Sequence, residues 1–482
     1  MINLLIILSV YFVTFTDKPE KTAPQLSPRA VEQRAKWNIP TDNMDYPVSP
    51  MYLNKVREAG GKILHKSRWF NGATVEMDEQ TAAKVAELKC VTSVEMTRDE
   101  TEPDLYLPKR LARKREQSSD IPGAYTDEQL ALYNLLPLHE AGFEGQGILM
   151  AICDGGFYNA DKITCFRQKE LDLGHFDFTD DDQFGYDFYG DTGDHGTACL
   201  STISGIREDF FYGAATKAQY YLMRSEENDT ESPKEMDNLV AALETADSLG
   251  VNVFSVSLGY FRFDNPAWNL PKSAFDGRST RCSRAATIAA RKGMLVCIAA
   301  GNEGDELGNP PHTLGIPGDA DSTLTVGAVN TAGVIGYFSS YGPTSDERIK
   351  PEVCAVGVKT TLINHTNGLV QANGTSFATP LLAGFAAALW SALPDENAMQ
   401  IRERILRSAD RYDNPDTEHY QYGYGIPDAW KAYTMDIPTG LEDVFDSSSL
   451  QGGDRGRLIL RDGQLLIIKG EKKYTVTGVL VP

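Results

Sequence analysis

Unbroken apolar runs alternate with helical patterns between Gly145 and about Tyr433. The strand-like runs are Ile148–Ile152, Tyr220–Met223, Val251–Val256, Met294–Ala299 and Leu324–Val326. The helical patterns are Glu235–Leu249, Thr280–Lys292 and Ser376–Leu393. Strands that are apolar on both faces are typical of a parallel sheet covered by helices on both sides. The pattern therefore predicts a three-layer α/β domain, in which reactive groups lie at the carboxyl ends of the strands.

The segment before this domain changes its hydrophobic period several times. Ser49-Pro50 predicts the start of a helix that ends at Gly60-Gly61. The elements expected after it are strands at Lys62–Ser67 and Ala73–Met77 joined by the turn Asn71-Gly72, a helix at Glu79–Leu88 and a strand at Val91–Met96. This order predicts a small α+β domain, with boundaries at residues 28–105.

An apolar run, Leu4–Val13, lies close to the start of the chain. It is too short to span a bilayer and has the length of a signal-peptide core, so we predict a signal peptide over residues 1–16 and export of the protein. No Lys or Arg precedes the run, and two alternatives stay open. They are a wrongly assigned start and a buried strand.

A charged stretch, Arg98–Asp120, separates the two predicted domains. It contains Lys109-Arg110 and Arg113-Lys114-Arg115, which are typical of an exposed segment open to proteases. We therefore predict a processing linker at residues 106–123. The alternative is a solvated basic patch.

The C-terminal residues predict a short β tail at residues 436–482. Ile437–Asp443 has the composition of a linker, Arg457–Ile468 predicts a hairpin around Asp462-Gly463, and Lys473–Val481 predicts a further strand. So few strands form only a marginal module. The segment weakly resembles the sorting tails of some secreted bacterial enzymes, including type IX secretion tails, and a structural cap on the preceding domain is the alternative.

Composition and charge restrict the classes of function. The 482 residues are 41% hydrophobic and 23% charged, which suits a folded chain with a large core. The net charge of −21 opposes binding to nucleic acid or to anionic membrane surfaces. Seven cysteines, an odd number without CxxC spacing, predict no disulfide framework. Cys153 and Cys297 lie in apolar runs and are expected to be inert packing groups.

Four polar residues fall in contexts that suit nucleophilic catalysis. Asp154 ends a predicted strand, His195 is the second residue of Asp-His-Gly-Thr, Asn302 follows another strand, and Ser376 lies at the start of a helix of small residues. A serine there has unpaired helix N–H groups beside it, which can stabilise an oxyanion. Each residue alone also fits a turn or a cap, whereas the four in this order have few structural explanations.

On these motifs the chain resembles a subtilisin-like serine protease, a subtilase of the peptidase S8 family. The Asp-His-Gly-Thr and Gly-Thr-Ser-Phe-Ala-Thr-Pro motifs are highly specific, and the order Asp, His, Ser is that of subtilisin. One departure is that Asp154 is followed by Gly155-Gly156 rather than the commoner Thr-Gly. This keeps the carboxylate and changes how the following loop is anchored.

The resemblance implies a catalytic domain at residues 124–435 and a secreted or cell-surface serine endopeptidase of bacterial type. It also implies a role for each matching residue. Asp154, His195 and Ser376 would form the catalytic triad, Asn302 would contribute to the oxyanion hole, and Ser257, Leu258 and Gly259 would bind the substrate backbone. The alternative is a catalytically silent protein that binds peptides on the same scaffold.

The resemblance further implies that the small N-terminal domain is an inhibitor-like propeptide, with an ordinary accessory domain as the alternative. The expected partners are protein or peptide substrates and the chain's own propeptide, with no nucleic acid and no membrane span. No cofactor is required. The acidic run Asp177–Asp182 offers oxygen ligands for a structural Ca²⁺, although a solvated acidic loop fits its spacing better, and we assign no metal-binding residue.

Overall fold

The computed structural model describes most of the chain. The described residues are 8–99, 126–166, 168–179, 193–207, 210–227, 230–304, 314–417 and 419–436, together with four C-terminal strands between 457 and 481. The predicted processing linker and residues 180–182 of the acidic run lie outside the described residues. So does the linker predicted at 437–443.

The N-terminal domain is an antiparallel sheet with helices, as its hydrophobic pattern predicts. Its elements are β1 (Ser9–Phe15), α1 (Pro28–Lys36), α2 (Pro50–Ala59), β2 (Lys62–Ser67), β3 (Gly72–Met77), α3 (Glu79–Ala86) and β4 (Val91–Arg98). The strand order is β2-β3-β1-β4. The Ser49 hydroxyl accepts a hydrogen bond from the Tyr52 N–H at the start of α2, and Gly60 ends that helix at a φ of 111°.

Strand β1 overlaps the apolar run on which the signal-peptide prediction rests. It contains five of the ten residues of that run, Ser9–Val13, and it pairs with β3 on one side and β4 on the other. Val13 is fully buried there. Within the described residues this part of the run forms a buried strand, the structure that the sequence left as an alternative, since its length suits a central strand as well as a signal core. The signal peptide at residues 1–16 stays a prediction.

The large domain is built around a parallel sheet of seven strands. Its elements are α4 (Asp127–Ala131), α5 (Leu136–Glu140), β5 (Leu149–Asp154), β6 (Asp172–Asp177), α6 (His195–Ser204), β7 (Ile206–Arg207), β8 (Phe211–Tyr212), β9 (Gln219–Arg224), α7 (Pro233–Leu249), β10 (Val253–Val256), α8 (Arg281–Arg291), β11 (Leu295–Ala299), β12 (Leu324–Val329), β13 (Val353–Val356), β14 (Thr360–Ile363), β15 (Leu369–Ala372), α9 (Thr375–Ala392), α10 (Ala398–Ser408) and α11 (Ala429–Thr434). The main sheet has the order β13-β12-β11-β10-β5-β9-β6.

Two hydrophobic cores lie on opposite faces of this sheet. Met150 and Ile152 of β5 belong to the core that contains α9, whereas Ala151 and Cys153 belong to the core that contains α7 and α8. The alternation follows from the two-residue period of a strand. The predicted three-layer α/β architecture is therefore confirmed. Burial raises the pKa of the Cys153 and Cys297 thiols, as expected of packing groups.

Helix α9 is the one described helix that is long and apolar enough to cross a membrane. It is also largely buried, and it packs against β10, β11, β12 and β13. Core helices of globular domains commonly have this composition. We therefore assign α9 to the protein core.

Residues 17–48 form an arm that runs from the N-terminal domain along the large domain. At its centre, Arg34 lies 2.6 Å from Asp45 and 2.8 Å from Asp247 of α7. Lys292 lies 2.8 Å from Asp45, and Arg68 lies 2.6 Å from Asp247. These five residues, which we call the buried latch, join the two domains through charges that are almost entirely removed from water.

The latch also affects the ionisation of Asp45. Burial acts to raise the pKa of Asp45, but hydrogen bonds from Lys292, the Asp42 N–H and Arg34 together outweigh it and hold the pKa below its ordinary 3.8. A carboxylate with a lowered folded-state pKa stabilises the fold above its unfolded-state pKa. The contribution of Asp45 is therefore fully present at neutral pH and is lost as the pH falls through its folded-state pKa.

The C-terminal strands form a separate unit. They are β16 (Arg457–Arg461), β17 (Gln464–Lys469), β18 (Lys472–Thr475) and β19 (Leu480–Val481), which pair in that order in one antiparallel sheet. The predicted hairpin is present as β16 and β17, whereas Lys473–Val481, predicted as one strand, contains two short antiparallel strands, β18 and β19. Its role as a sorting tail or as a cap stays a prediction.

Candidate active site

Asp154 and His195 meet at the carboxyl end of the central strand β5. Asp154 is the last residue of β5 and is fully buried, and His195 is the first residue of α6. The His195 Nδ1 atom lies 2.7 Å from the Asp154 Oδ1 atom. A hydrogen bond at this nitrogen fixes the orientation of the imidazole and directs its Nε2 atom away from the carboxylate. The arrangement suits a histidine that exchanges protons at Nε2.

Gly155, the residue after Asp154, affects the hydrogen bonding of the Asp154 carboxylate. The Asp154 Oδ1 atom also accepts the Gly155 N–H at 2.8 Å. The buried Oδ2 atom has no hydrogen-bond partner within the described part of the chain. Gly155 has no side chain, so it cannot supply the hydroxyl that the commoner threonine would bring to this carboxylate.

Gly196 is required by the close approach of α6 to the loop after β5. A Cβ atom at this position would lie 2.4 Å from the Gly156 carbonyl oxygen and 2.9 Å from the Asp154 Cβ atom. No backbone can tolerate such contacts without moving.

We therefore expect Gly196→Ala to lower kcat/KM on a peptide substrate at least tenfold, because it would force apart the Asp154 and His195 backbones. Steady-state hydrolysis of a chromogenic peptide measures this effect. Gly147→Ala is the control, since its Cβ would enter open space, so that this substitution adds backbone strain at a φ of 81° but no steric contact. Equal activity of the Gly196→Ala variant and the wild type would contradict the expectation.

Ser376 lies in the first turn of α9, and neighbouring side chains connect this turn to His195. The ring of Phe377, the next residue, has its centroid 5.5 Å from that of His195. The Cys199 Sγ atom lies 3.7 Å from His195 Nδ1 and 3.2 Å from the Ser376 carbonyl oxygen. Cys199 therefore contacts both the His195 ring and the Ser376 backbone.

Asn302 lies beside the start of α9. Its Oδ1 atom accepts hydrogen bonds from the Thr375 N–H at 2.9 Å and from the Thr375 hydroxyl at 3.1 Å. Thr375 thus holds the Oδ1 end of the Asn302 side-chain amide. The Nδ2 group, which is the hydrogen-bond donor, therefore points in the opposite direction. This orientation is compatible with donation to an oxyanion.

Ser257, Leu258 and Gly259 directly follow β10, the neighbour of β5. Ser257 is buried, Leu258 is half-buried and Gly259 is exposed. A Cβ atom on Gly259 would lie 3.3 Å from the Gly315 Cα atom. The segment thus runs from the interior to the surface beside the candidate triad, where an extended peptide can approach it.

Cys199, Thr375 and Phe377 complete the site and were not singled out by the sequence. Cys199 lies four residues after His195, which places both on one side of α6. This four-residue spacing is the sequence signal that could have identified Cys199 as part of the site. Thr375 and Phe377 flank Ser376 in the sequence. Their contacts with Asn302 and His195 are apparent only in the structure.

The acidic residues near the predicted calcium loop make other contacts. Asp177 accepts hydrogen bonds from the Thr179 N–H and hydroxyl, both at 2.8 Å, and Asp194 lies 2.7 Å from His365 Nδ1. A second group, Glu226, Glu231 and Glu235, lies beyond β9. Burial, followed by the neighbouring Glu226, raises the pKa of Glu235 well above its ordinary value. Calcium binding stays a prediction.

Comparison with known proteins agrees with this geometry. Residues 145–425 match the model of the Subtilase family, and residues 10–118 match a model described as the peptidase S8 propeptide domain of Bacteroidota. The chain is 27% identical over 372 residues to Subtilisin NAT of Bacillus subtilis subsp. natto and to Subtilisin E of Bacillus subtilis, covering 77% of this chain and 83% of each relative.

A solved structure shows the same fold. It is MycP1 from Mycobacterium smegmatis, which is similar with a TM-score of 0.53 and 22% identity over 68% of this chain and 89% of that one. The likeness at this level of identity concerns the fold. The family models, in contrast, cover both domains that the sequence predicts.

Proposed function

The chain belongs to the subtilase family of serine proteases, and from that premise we propose that it hydrolyses peptide bonds through Ser376, His195 and Asp154. The observation that carries the proposal is the 2.7 Å hydrogen bond between His195 and the buried Asp154, at the end of the central strand. The alternative of a catalytically silent peptide-binding protein has no support, because each of the three groups is present.

In the proposed reaction, the Ser376 hydroxyl attacks the carbonyl carbon of the substrate. His195 accepts the serine proton at Nε2 and then gives it to the leaving amine, which leaves an acyl-enzyme. Water, deprotonated by His195, releases the acid and restores Ser376. Asp154 holds the imidazole in orientation and stabilises its charged form.

We assign the oxyanion hole to Asn302 and the Ser376 backbone N–H. The Thr375 contacts orient the Asn302 amide before the substrate arrives, so no reorganisation is needed as negative charge develops. Ser257, Leu258 and Gly259 would pair with the extended substrate backbone. Both assignments are supported by the position of these residues around Ser376.

The N-terminal domain acts in this proposal as an intramolecular inhibitor and folding partner. It matches a propeptide model and is joined to the large domain by the buried latch. We further propose that the enzyme cuts its own chain between about Leu105 and Tyr125, within the basic linker, and that it works at the cell surface or outside the cell. An attached inhibitor is most useful to a protease that must stay inactive where it is synthesised.

Labelling with a fluorophosphonate tests the proposal directly. We expect the processed wild-type protein to be modified at Ser376, as mapped by peptide mass spectrometry. His195→Ala should be labelled at least 100-fold more slowly, because the serine would lose its proton acceptor. A wild-type protein that remains unlabelled, or is labelled only at another serine, would contradict the proposal.

A further inference from the structure

The carbonyl group of Ser376 cannot make the usual hydrogen bond within its helix. In an α-helix this carbonyl would accept the N–H of the residue four positions later, which is Pro380. Proline has no N–H. Ser376 is buried, and a buried carbonyl without a donor is costly, so other groups must satisfy it.

Two side chains from other elements donate to this carbonyl. The Ser257 hydroxyl, just after β10, lies 2.9 Å from it, and the Cys199 thiol, on α6, lies 3.2 Å from it. Cys199 is on the same helix as His195, four residues later. The backbone of the candidate nucleophile is therefore tied both to the helix that carries its base and to the segment expected to bind the substrate.

We propose that Ser257 and Cys199 are positioning residues, which set the distance between Ser376 and His195 through the Ser376 carbonyl, and that Pro380 keeps this carbonyl available to them. The inference rests on the proposed function of Ser376 as nucleophile. Hydroxyl and imidazole must lie within hydrogen-bonding distance for proton transfer, and an error of about 1 Å can cost about 100-fold in rate. Neither positioning side chain needs to touch the substrate for this role.

Substitution of Ser257 and Cys199 is expected to lower kcat without changing KM. We expect Ser257→Ala to lower kcat about tenfold and Cys199→Ala about threefold, since a thiol is the weaker donor. The double variant should lose more than the product of the two effects, because each donor partly compensates for loss of the other. KM and the pH profile of kcat should stay unchanged, because the substrate contacts and the Asp154–His195 pair are retained.

A conservative replacement and two controls separate positioning from general packing. Cys199→Ser keeps a donor and should retain most of the activity that Cys199→Ala loses. Cys354→Ala removes a buried thiol that lies 3.5 Å from the Gln421 carbonyl, and Ser408→Ala removes a buried hydroxyl from α10. Both controls should keep the wild-type kcat, measured per active site titrated with a fluorophosphonate.

The outcomes distinguish this inference from the proposed function. An active wild type matched within twofold by the double variant would overturn the positioning role alone. A rise in KM at constant kcat, or equal losses in Cys199→Ser and Cys199→Ala, would also overturn it. A wild-type protein without hydrolysis or labelling would instead contradict the proposed function.

Discussion

Replacing Ser376 with alanine is expected to lower kcat about a million-fold, which is the magnitude established for removing the nucleophile of a subtilisin rather than one calculated from this site. Without the hydroxyl no acyl-enzyme forms. The remaining oxyanion donors and the substrate-binding segment can support only slow attack by water. Hydrolysis of a chromogenic peptide at high enzyme concentration measures the residual rate.

The same variant also tests self-processing. Ser376→Ala should remain an intact chain of 53.0 kDa, whereas the wild type should be cut within the basic linker. Ser408→Ala, in which another buried serine is lost, should be processed normally. If purified Ser376→Ala cleaved substrate as fast as the wild type, the assignment of the nucleophile would be wrong.

Replacing Asp247 with alanine is expected to raise the equilibrium constant for detachment of the N-terminal domain from the large domain by two to three orders of magnitude. Arg34 and Arg68 both pair with Asp247, and their side chains are only 5% and 14% exposed. Removal of one partner from a buried ion pair typically costs about 3–5 kcal/mol, because the remaining charge stays in a poorly solvated position. Each 1.4 kcal/mol is about tenfold in the equilibrium.

Limited proteolysis of the arm measures this loosening. The substitution is made in the Ser376→Ala background, so that the chain does not cut itself, and cleavage by added trypsin reports how often the arm opens. Asp395→Ala is the control, since Asp395 is 97% exposed and lies 3.4 Å from Lys36 of the same arm. An exposed pair contributes only about 0–1 kcal/mol. Equal cleavage of the two variants would show that the latch does not hold the arm.

The N-terminal region shows where the sequence pattern was insufficient. Ser9–Phe15 is apolar over a length that fits both a signal core and a strand, and its pairing with β3 and β4 is a long-range contact that no local pattern shows. Helix α1 was not predicted because few of its residues are apolar. Its Ser27 cap donates to the Leu249 carbonyl, and Arg29 to the Gly250 carbonyl, so contacts with the large domain stabilise it.

The sequence by itself determined the alternation of strands and helices in the large domain, since unbroken apolar runs have few other uses in a globular chain. It also determined which Asp, His, Asn and Ser carry the family motifs. Tertiary structure decided what lies around them: the thiol of Cys199, the hydroxyl of Ser257 and the charges of the buried latch. These contacts join residues that are far apart in the chain, and such contacts form only when strands pair and helices pack, which no local pattern encodes.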